Sequence, residues 1–469
     1  MRWVAFSTIF AGITGYLVIF LATSTLGAER FDGFNVYWAL FFAISGIVQG
    51  IMHETTRGIR AASAADTTRK IVDENDNGID DADEIVVSES ATGTAVIEVL
   101  TPEEIEADRR RQLMRHGSHR VDAAELGLGA RPLPTAALVG LVLGALMAAT
   151  SPLWGPVLLP EGQQVLGTVL ISVSTALLAV QSAFAGLLSG TARWRSFGIL
   201  LTLEAAARII VAAIASFLGD PMAGFMYATV AGAVVAPLML PLTPLGREVG
   251  QLRTDVPLGA FLRRSANAMA AASAAAVLVV GFPVILQATR AGTEPIVLSN
   301  LLLAVLLTRA PILTPITSFQ NALVVHFVDR FDKGRLALIV PVGVVLAVGI
   351  VGALLAWFLG PPIIEFMGEG FAMGGDVLAS LTFAASLTGV LYVTGAATLA
   401  HEAHGHYVAG WWIASGLAIV ILLAVPQIVL ATELALVIGP LAGALYHALV
   451  GMRSRRHAVN ADTAVTEED

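Results

Sequence analysis

The stretch Phe197–Leu218, FGILLTLEAAARIIVAAIASFL, is apolar except for Glu204 and Arg208. As an α-helix it would be about 33 Å long, enough to cross a bilayer core. The two charges are four residues apart, so they share a helix face, with the acid N-terminal in the better order. An ionisable pair at that depth is costly and faces protein or water rather than lipid. One run therefore predicts a membrane helix with a polar inward face, and hence a bundle around it. Eleven further runs of similar character lie at 3–24, 34–53, 134–158, 163–190, 222–245, 265–288, 296–319, 336–359, 377–400, 408–429 and 434–452. The composition agrees: the 469 residues are 56% apolar and 13% charged, with a mean hydropathy of +0.76. Soluble chains are about 45–50% apolar and about 25% charged. The fold class read here is an all-α polytopic membrane protein with twelve transmembrane helices.

The basic residues set the orientation. With the N-terminus inside, 23 of the 27 Lys and Arg fall in cytoplasmic segments, Arg30 and Arg290 lie outside, and Arg208 and Arg309 lie within spans. That bias is the positive-inside pattern, and it places both termini in the cytoplasm of a multi-pass plasma (inner) membrane protein. The first apolar run exceeds a signal-peptide core of about 7–15 residues and reads as a retained helix. With no cysteine in the chain, disulfides, thiolate metal sites and cysteine nucleophiles are excluded.

The sequence divides into an N-terminal six-helix lobe at 1–245, a cytoplasmic linker at 246–264, a C-terminal six-helix lobe at 265–452 and a tail at 453–469. The connection at 185–198 occupies the place in the first half that 397–410 occupies in the second, a repeat carried by hydropathy alone. Gly140/Gly144 and Gly439/Gly443 have the spacing that lets helices approach closely. Residues 54–133 form a hydrophilic insert with 17 acidic and 10 basic residues, expected to be loosely folded. Short strands are conceivable at 70–72, 84–87 and 95–100, and 101–117 reads as a polar helix opened by a Thr101/Glu104 capping box. The insert's DENDNGIDDADE string (73–84) resembles a calcium loop but lacks flanking apolar helices and has Asp80 where an aliphatic belongs. HEAHGH (401–406) lacks zinc spacing, and no metal or cofactor is expected. A nucleotide fingerprint is also missing, and the net charge of −9 argues against nucleic acid as a partner.

Candidate substrate-binding residues follow from polar groups inside or at the mouth of spans. Arg208 would bind an anionic group, and Glu204 would orient it or carry a proton. Arg309 has no acid within helical reach and precedes Pro311 and Pro315, which free backbone carbonyls. Its bland reading is a cation paired with carbonyls or with Glu204. His53 and Arg57 form a mixed-charge mouth with Glu54 at the end of the second span. Gln49, Gln181 and Asn300 are polar candidates for sugar contacts.

Three strings carry a family resemblance: FNVYWALFFAISGIVQGIMHETTR (34–57), RWRSFG (193–198) leading to Glu204 and Arg208, and TRAP (308–311). They resemble polysaccharide-biosynthesis export proteins, the Wzx-like flippases of the multidrug/oligosaccharidyl-lipid/polysaccharide (MOP) exporter superfamily. The resemblance covers about residues 1–53 and 134–452. It implies two six-helix lobes of MOP/MATE type and alternating access. The implied activity is transfer of an undecaprenyl-diphosphate-linked oligosaccharide from the cytoplasmic to the outer leaflet, with cavity arginines receiving the diphosphate. That role falls on Arg208 and Arg309, then Arg57. The partners so implied are a polyprenyl-diphosphate-linked glycan and membrane lipids, with the 54–133 insert as a candidate docking segment for polysaccharide-synthesis enzymes. A cation-coupled small-molecule exporter is the alternative. A membrane glycosyltransferase or polymerase ranks lower, since the external loops are short, and the chain is not expected to be an enzyme.

Overall fold

The structure is a computed structural model that describes residues 2–76, 85–89, 95–99, 129–217, 219–318, 323, 326–327, 335–400 and 403–466. Its helices are α1 (Arg2–Leu26), α2 (Phe31–Asp76), α3 (Pro132–Leu158), α4 (Gln164–Gly190), α5 (Trp194–Ala215), α6 (Pro221–Ala231), α7 (Val235–Leu242), α8 (Pro244–Val249), α9 (Leu258–Val279), α10 (Phe282–Thr289), α11 (Pro295–Ser318), α12 (Arg335–Phe366), α13 (Gly375–Ala400), α14 (His404–Ala424) and α15 (Ile428–Thr466). Among the described residues eleven elements are long and apolar enough to span a membrane, and α9 with α10 makes a twelfth as one span bent by 66°. The all-helical membrane fold is thus confirmed. The exception is a hairpin in the insert, β1 (Ile85–Glu89) antiparallel to β2 (Ala95–Val99), with Val87 opposite Ile97.

The insert corrects two expectations. Residues 70–72 continue α2 as helix and do not form a strand, because the second span projects past the bilayer without a breaker. Asp73–Asp76 of the calcium-like string also belong to α2. Residues 77–84, the capping-box helix at 101–117, and His401 and Glu402 lie outside the described residues.

Helix packing repeats between the halves. Spans one and five, three and four, two and four, five and six, and four and six pack together, and the same pairs recur as seven and eleven, nine and ten, eight and ten, eleven and twelve, and ten and twelve. Two six-helix lobes result although the letters of the halves have diverged. Gly140 and Gly144 press onto the α4 backbone at Ala176 and Ser172, and Gly439 and Gly443 press onto α14 at Ala414 and Gly410. The small-residue pairs therefore serve packing inside each lobe. Between lobes, α2 packs along α9, α10 and α11, and α3 meets α10. The lipid side is a belt of exposed aliphatics, such as Ile9 and Ile13 on α1 and Val344, Val351 and Leu355 on α12.

The two interrupted spans are the sixth and seventh, which flank the linker. In the sixth, Gly232–Val234 tightens to a 3₁₀ turn between α6 and α7. Pro237 follows and supplies no N–H to the carbonyl one turn back. In the seventh, Gly281-Phe282-Pro283 separates α9 from α10, since Pro283 cannot continue the ladder. The eighth span, where Pro311 and Pro315 suggested a break, runs as one helix through both prolines.

Successive spans alternate direction, so one end of the bundle holds the start of α1 and the basic connections. Arginines stitch that end together. Arg195 lies over Trp3 at 5.4 Å and Arg60 over Trp194 at 5.9 Å, and Arg193 pairs with Glu248 at 2.5 Å. The linker docks against the N-terminal lobe: Asp255 N–H donates to Gly58 O at 3.3 Å and Ala130 N–H to Val256 O at 2.9 Å. The opposite end is closed by contacts across the lobes. Ala28 N–H donates to Glu369 O at 3.2 Å, Gln287 Nε2 to Val157 O at 3.1 Å, and Phe31 meets Phe371 edge-on at 5.6 Å.

Candidate functional site

The face of α2 turned toward the second lobe organises the site. Asn35, Phe42 and Gln49 recur every seven residues and His53 follows four later, so the four share one stripe. Gly46 and Gly50 lie beside this stripe and admit Ala276 and the Met269 backbone of α9. Gln49 and His53 are exposed, which leaves a polar track from the basic end toward the middle of the bundle. Asn35, at the closed end, is fully buried and neither amide atom has a partner.

Arg208 reaches this stripe from α5. Its guanidinium lies over the Phe42 ring at 5.3 Å and against Gly232, where an added Cβ would come within 2.6 Å of the guanidinium carbon. The glycine at the sixth-span kink is thus what gives the arginine room. Glu204 Oε2 lies 3.9 Å from Arg208 Nη2, a loose pair with side-chain exposures of 6% and 14%. Glu204 Oε1 and Arg208 Nε have no partner. A buried charge without full hydrogen bonding is unfavourable, so this pair retains the capacity to bind a further polar group. Gln181 on α4 also leaves Oε1 unpartnered. Gly186 packs at Met52 and Thr55, and Gly190 at Ile59, so Gln181 falls about level with Gln49 at 1.5 Å per residue.

Arg309 sits at the same depth in the other lobe. Asp32 N–H donates to Ser299 Oγ at 2.8 Å, which sets α2 and α11 in register. Ten residues further, about 15 Å along each helix, lie Phe42 and Arg309. Arg309 is 5% exposed. Its Nη2 donates to Leu278 O at 3.2 Å, the carbonyl that an unbroken seventh span would offer to residue 282. Its guanidinium lies over Phe282 at 5.7 Å, and Tyr392 is its electrostatic neighbour. Arg309 therefore plugs the break between α9 and α10, and the carbonyl-paired reading describes it in this conformation.

The remaining candidates separate. Arg57 grips Glu54 at 2.6 and 2.8 Å and Asp255 at 3.0 and 3.1 Å. Arg264 of α9 approaches both acids, at 3.9 and 3.8 Å. This four-charge cluster joins α2, the linker and the seventh span at the mouth. Asn300 is taken up by structure: its amide donates to Ile296 O and Gly370 O and accepts from Ala372 N–H at 2.7 Å. It pins the loop before α13 at the closed end, away from Arg208. Among the described residues no cluster of three or more His, Asp or Glu side chains converges as for a metal.

An apolar groove of about 410 Å³ lies behind the pair on the lipid side, between α5 and α7, lined by Leu203, Ala207, Ile210, Leu238 and Leu242 among others. Sequence reasoning missed Phe42, Gly232 and Asn35. The seven-residue spacing of 35, 42 and 49 was a usable signal, but nothing in the letters tied Gly232 to Arg208.

The fold, two repeated six-helix lobes, matches that of known transporter structures. One described as the inward-facing conformation of a multidrug resistance MATE family transporter of the MOP superfamily superposes with a TM-score of 0.66 and 14% identity, covering 96% of each chain. The outward-facing conformation gives 0.57 and 13%, covering 98% of this chain and 96% of that one. A Pyrococcus furiosus MOP superfamily transporter gives 0.59 and 12%, with the same coverage. The MOP/MATE fold is therefore shown.

By sequence the chain belongs to a family that includes Rv3630 and Rv1510 of Mycobacterium tuberculosis and Mb3654 of Mycobacterium bovis, all described as uncharacterized proteins. Rv3630 is 33% identical over 441 residues, 93% of this chain and 88% of that protein. Rv1510 is 33% identical over 435 residues, 92% and 87%, and Mb3654 is 32% identical over 447 residues, 94% and 89%. No protein-family model matches the sequence.

Proposed function

We propose that this chain is an alternating-access transporter that carries an undecaprenyl-diphosphate-linked oligosaccharide from the cytoplasmic to the outer leaflet of the plasma membrane. The observation that carries the reading is Arg208: a mid-depth guanidinium, 14% exposed, loosely paired, with a free Nε. A diphosphate would complete its hydrogen bonding, and arginine–phosphate bonds are charge-assisted and bidentate. The basic end is the cytoplasmic one on the positive-inside pattern. From there Arg57, His53 and Gln49 lead down one face of α2 to Phe42, about 22 Å at 1.5 Å per residue.

The substrate's long tail needs a way to remain in lipid. The main packed helix pairs do not join α1 to α11, and Gly12 and Gly15 of α1 face open space, which supports a lateral gap on that side. The closed far end and the polar track from the basic end fit loading from the cytoplasm. The Pyrococcus furiosus transporter of similar fold is described as having a binding pocket of reverse polarity that suggests a different function, so pockets of more than one polarity occur on this fold.

One observation favours a second reading. Glu204 keeps a free carboxylate oxygen, which would suit a cationic small molecule and a multidrug-type exporter. The two readings part in one experiment. Liposomes containing the chain are loaded with either a fluorescent polyprenyl-diphosphate sugar or a fluorescent organic cation, and translocation of each is followed. The proposal predicts exchange of the diphosphate lipid that is lost in Arg208→Ala. Transport of the cation alone, lost in Glu204→Gln, would replace it with the exporter reading.

A further inference from the structure

The C-terminal lobe holds a titratable side chain that the arginine site does not use. His447 lies on α15 within one turn of Val450, where the twelfth span ends, and is 2% exposed. Three spans enclose it. Its Nε2 is 3.1 Å from Tyr407 O on α14, and its Nδ1 is 3.3 Å from Thr394 Oγ1 on α13. The Tyr407 ring stacks on the imidazole at 6.1 Å with a 2° interplanar angle. Glycine makes the space: a Cβ at Gly410 would overlap the imidazole, and one at Gly395 would stand 2.9 Å from the Tyr407 ring and 3.6 Å from His447 Cε1.

Hydrogen-bond arithmetic distinguishes this pocket from ordinary packing. Nε2 faces a carbonyl, so it carries a hydrogen. Thr394 Oγ1 has a single hydrogen, directed at Val390 O (3.0 Å) and Leu391 O (3.1 Å) of its own helix. Its lone pairs therefore remain for Nδ1, and the ring meets two acceptors, the pattern of an imidazolium. One rotation of the Thr394 hydroxyl toward Nδ1 turns it into a donor and satisfies the neutral ring. Both protonation states thus find complete hydrogen bonding in one cradle.

The surroundings link the pocket to the rest of the lobe. Among the described residues, the titratable groups facing His447 are His406 and Tyr407 on α14 and Tyr446 on α15, with Tyr392 deeper on α13. None of these is a carboxylate. His406 is exposed and its Nδ1 lies 2.9 Å from the Tyr446 hydroxyl, whose ring is 6.3 Å from the imidazole. On the inner side, Tyr407 meets Trp411 at 6.4 Å and Trp411 meets Tyr392 at 4.7 Å. Tyr392 in turn neighbours Arg309, so the aromatic stack runs from the histidine to the arginine that plugs the broken span.

We propose that His447 is a reversible proton-binding site between the tenth, eleventh and twelfth spans, whose protonation state sets how tightly those spans pack. The added proton resides on Nδ1. An imidazolium with no carboxylate among its described neighbours favours a packing that admits water, so protonation loosens α13, α14 and α15 and its loss tightens them.

The test needs no substrate. Hydrogen exchange by mass spectrometry is measured on the full chain in lipid nanodiscs, with and without sodium, between about pH 5 and pH 8, where histidine titrates. After correction for intrinsic exchange, peptides covering 390–398, 405–411 and 440–449 should lose protection at low pH in the wild type, irrespective of sodium. His447→Gln should hold them at one level, and His406→Gln should keep the response. Should His447→Gln fail to fold, Thr394→Val removes the Nδ1 partner and should move the midpoint of the wild-type response. Protection that ignores pH in the wild type, that follows sodium instead, that still responds in His447→Gln, or whose midpoint is untouched by Thr394→Val would overturn the proposal. None of these outcomes depends on what the chain transports.

Discussion

Arg208 and Arg309 reach the same level of the bundle from opposite lobes, and each lies against an interruption in a neighbouring span. Arg208 abuts the 3₁₀ turn of the sixth span at Gly232. Arg309 bonds the carbonyl left open at the bend of the seventh. Their surroundings then diverge. Arg208 has a carboxylate one turn away, an aromatic face and a side chain 14% exposed. Arg309 has no acid, a backbone acceptor and almost no access. The two spans they support are those on either side of the linker, where rocking of the lobes would concentrate. The comparison suggests a division of labour in which one cation meets the substrate and the other holds the hinge.

The largest effects should come from the N-terminal member of the pair. Arg208→Ala is expected to abolish diphosphate-lipid exchange in liposomes while the chain still folds. Gly232→Ala is the sharper version, because it keeps the cation and only displaces it. Its Cβ would stand 2.6 Å from the guanidinium carbon, and the flexible arginine is what yields. Exchange in that variant should fall well below wild type with little change in melting temperature. Equal exchange in both would break the assignment of Arg208 to the substrate.

Arg309 should show the opposite signature, stability before transport. Arg309→Ala leaves the Leu278 carbonyl unpaired in a buried setting, a loss of about 1–3 kcal/mol. Arg309→Lys should recover part of it in thermal unfolding. If Arg309→Ala instead melts like wild type and stops exchange, Arg309 belongs to the substrate path and the division of labour fails.

The mouth cluster comes next. Asp255→Ala leaves Arg57, 42% exposed, held by Glu54 alone, so solvent screening limits the cost to about 1 kcal/mol. Its main effect should be on rate, through a weaker tie between the linker and α2. Arg193→Ala is the smallest. Glu248 is exposed, and the Arg193 guanidinium holds its carboxyl below the usual range. A depressed acid contributes stability above its unfolded value and loses it as pH falls. At so exposed a site the melting temperature of Arg193→Ala should match wild type at neutral pH within error.

Much of the fold was legible because membrane helices obey a strong local rule: a run of about 20 apolar residues must cross. All twelve runs correspond to spans, and the depth of Arg208 and Arg309 could be counted from the letters. Side-chain partners were not legible, because they depend on contacts distant in sequence. The proline pair after Arg309 drew attention to the wrong helix. The break lies at Gly281–Pro283 of the neighbouring span, and only packing brings that carbonyl to Arg309. Asn300 looked like a sugar ligand since a buried amide must bond something. Its partners, the backbone at Gly370 and Ala372, are seventy residues away in the chain. His447 passed unnoticed because Gly395 and Gly410, which shape its pocket, come from two other helices.

The central claim is that a cation held over Phe42 receives a lipid-linked diphosphate. Its most direct measurement is leaflet exchange of a fluorescent polyprenyl-diphosphate sugar in liposomes, comparing wild type, Arg208→Ala and Gly232→Ala side by side. The account predicts rapid exchange in the wild type and strong loss in both variants, with all three chains folded. Wild-type rates in the two variants, or no exchange by the folded wild type, would contradict it.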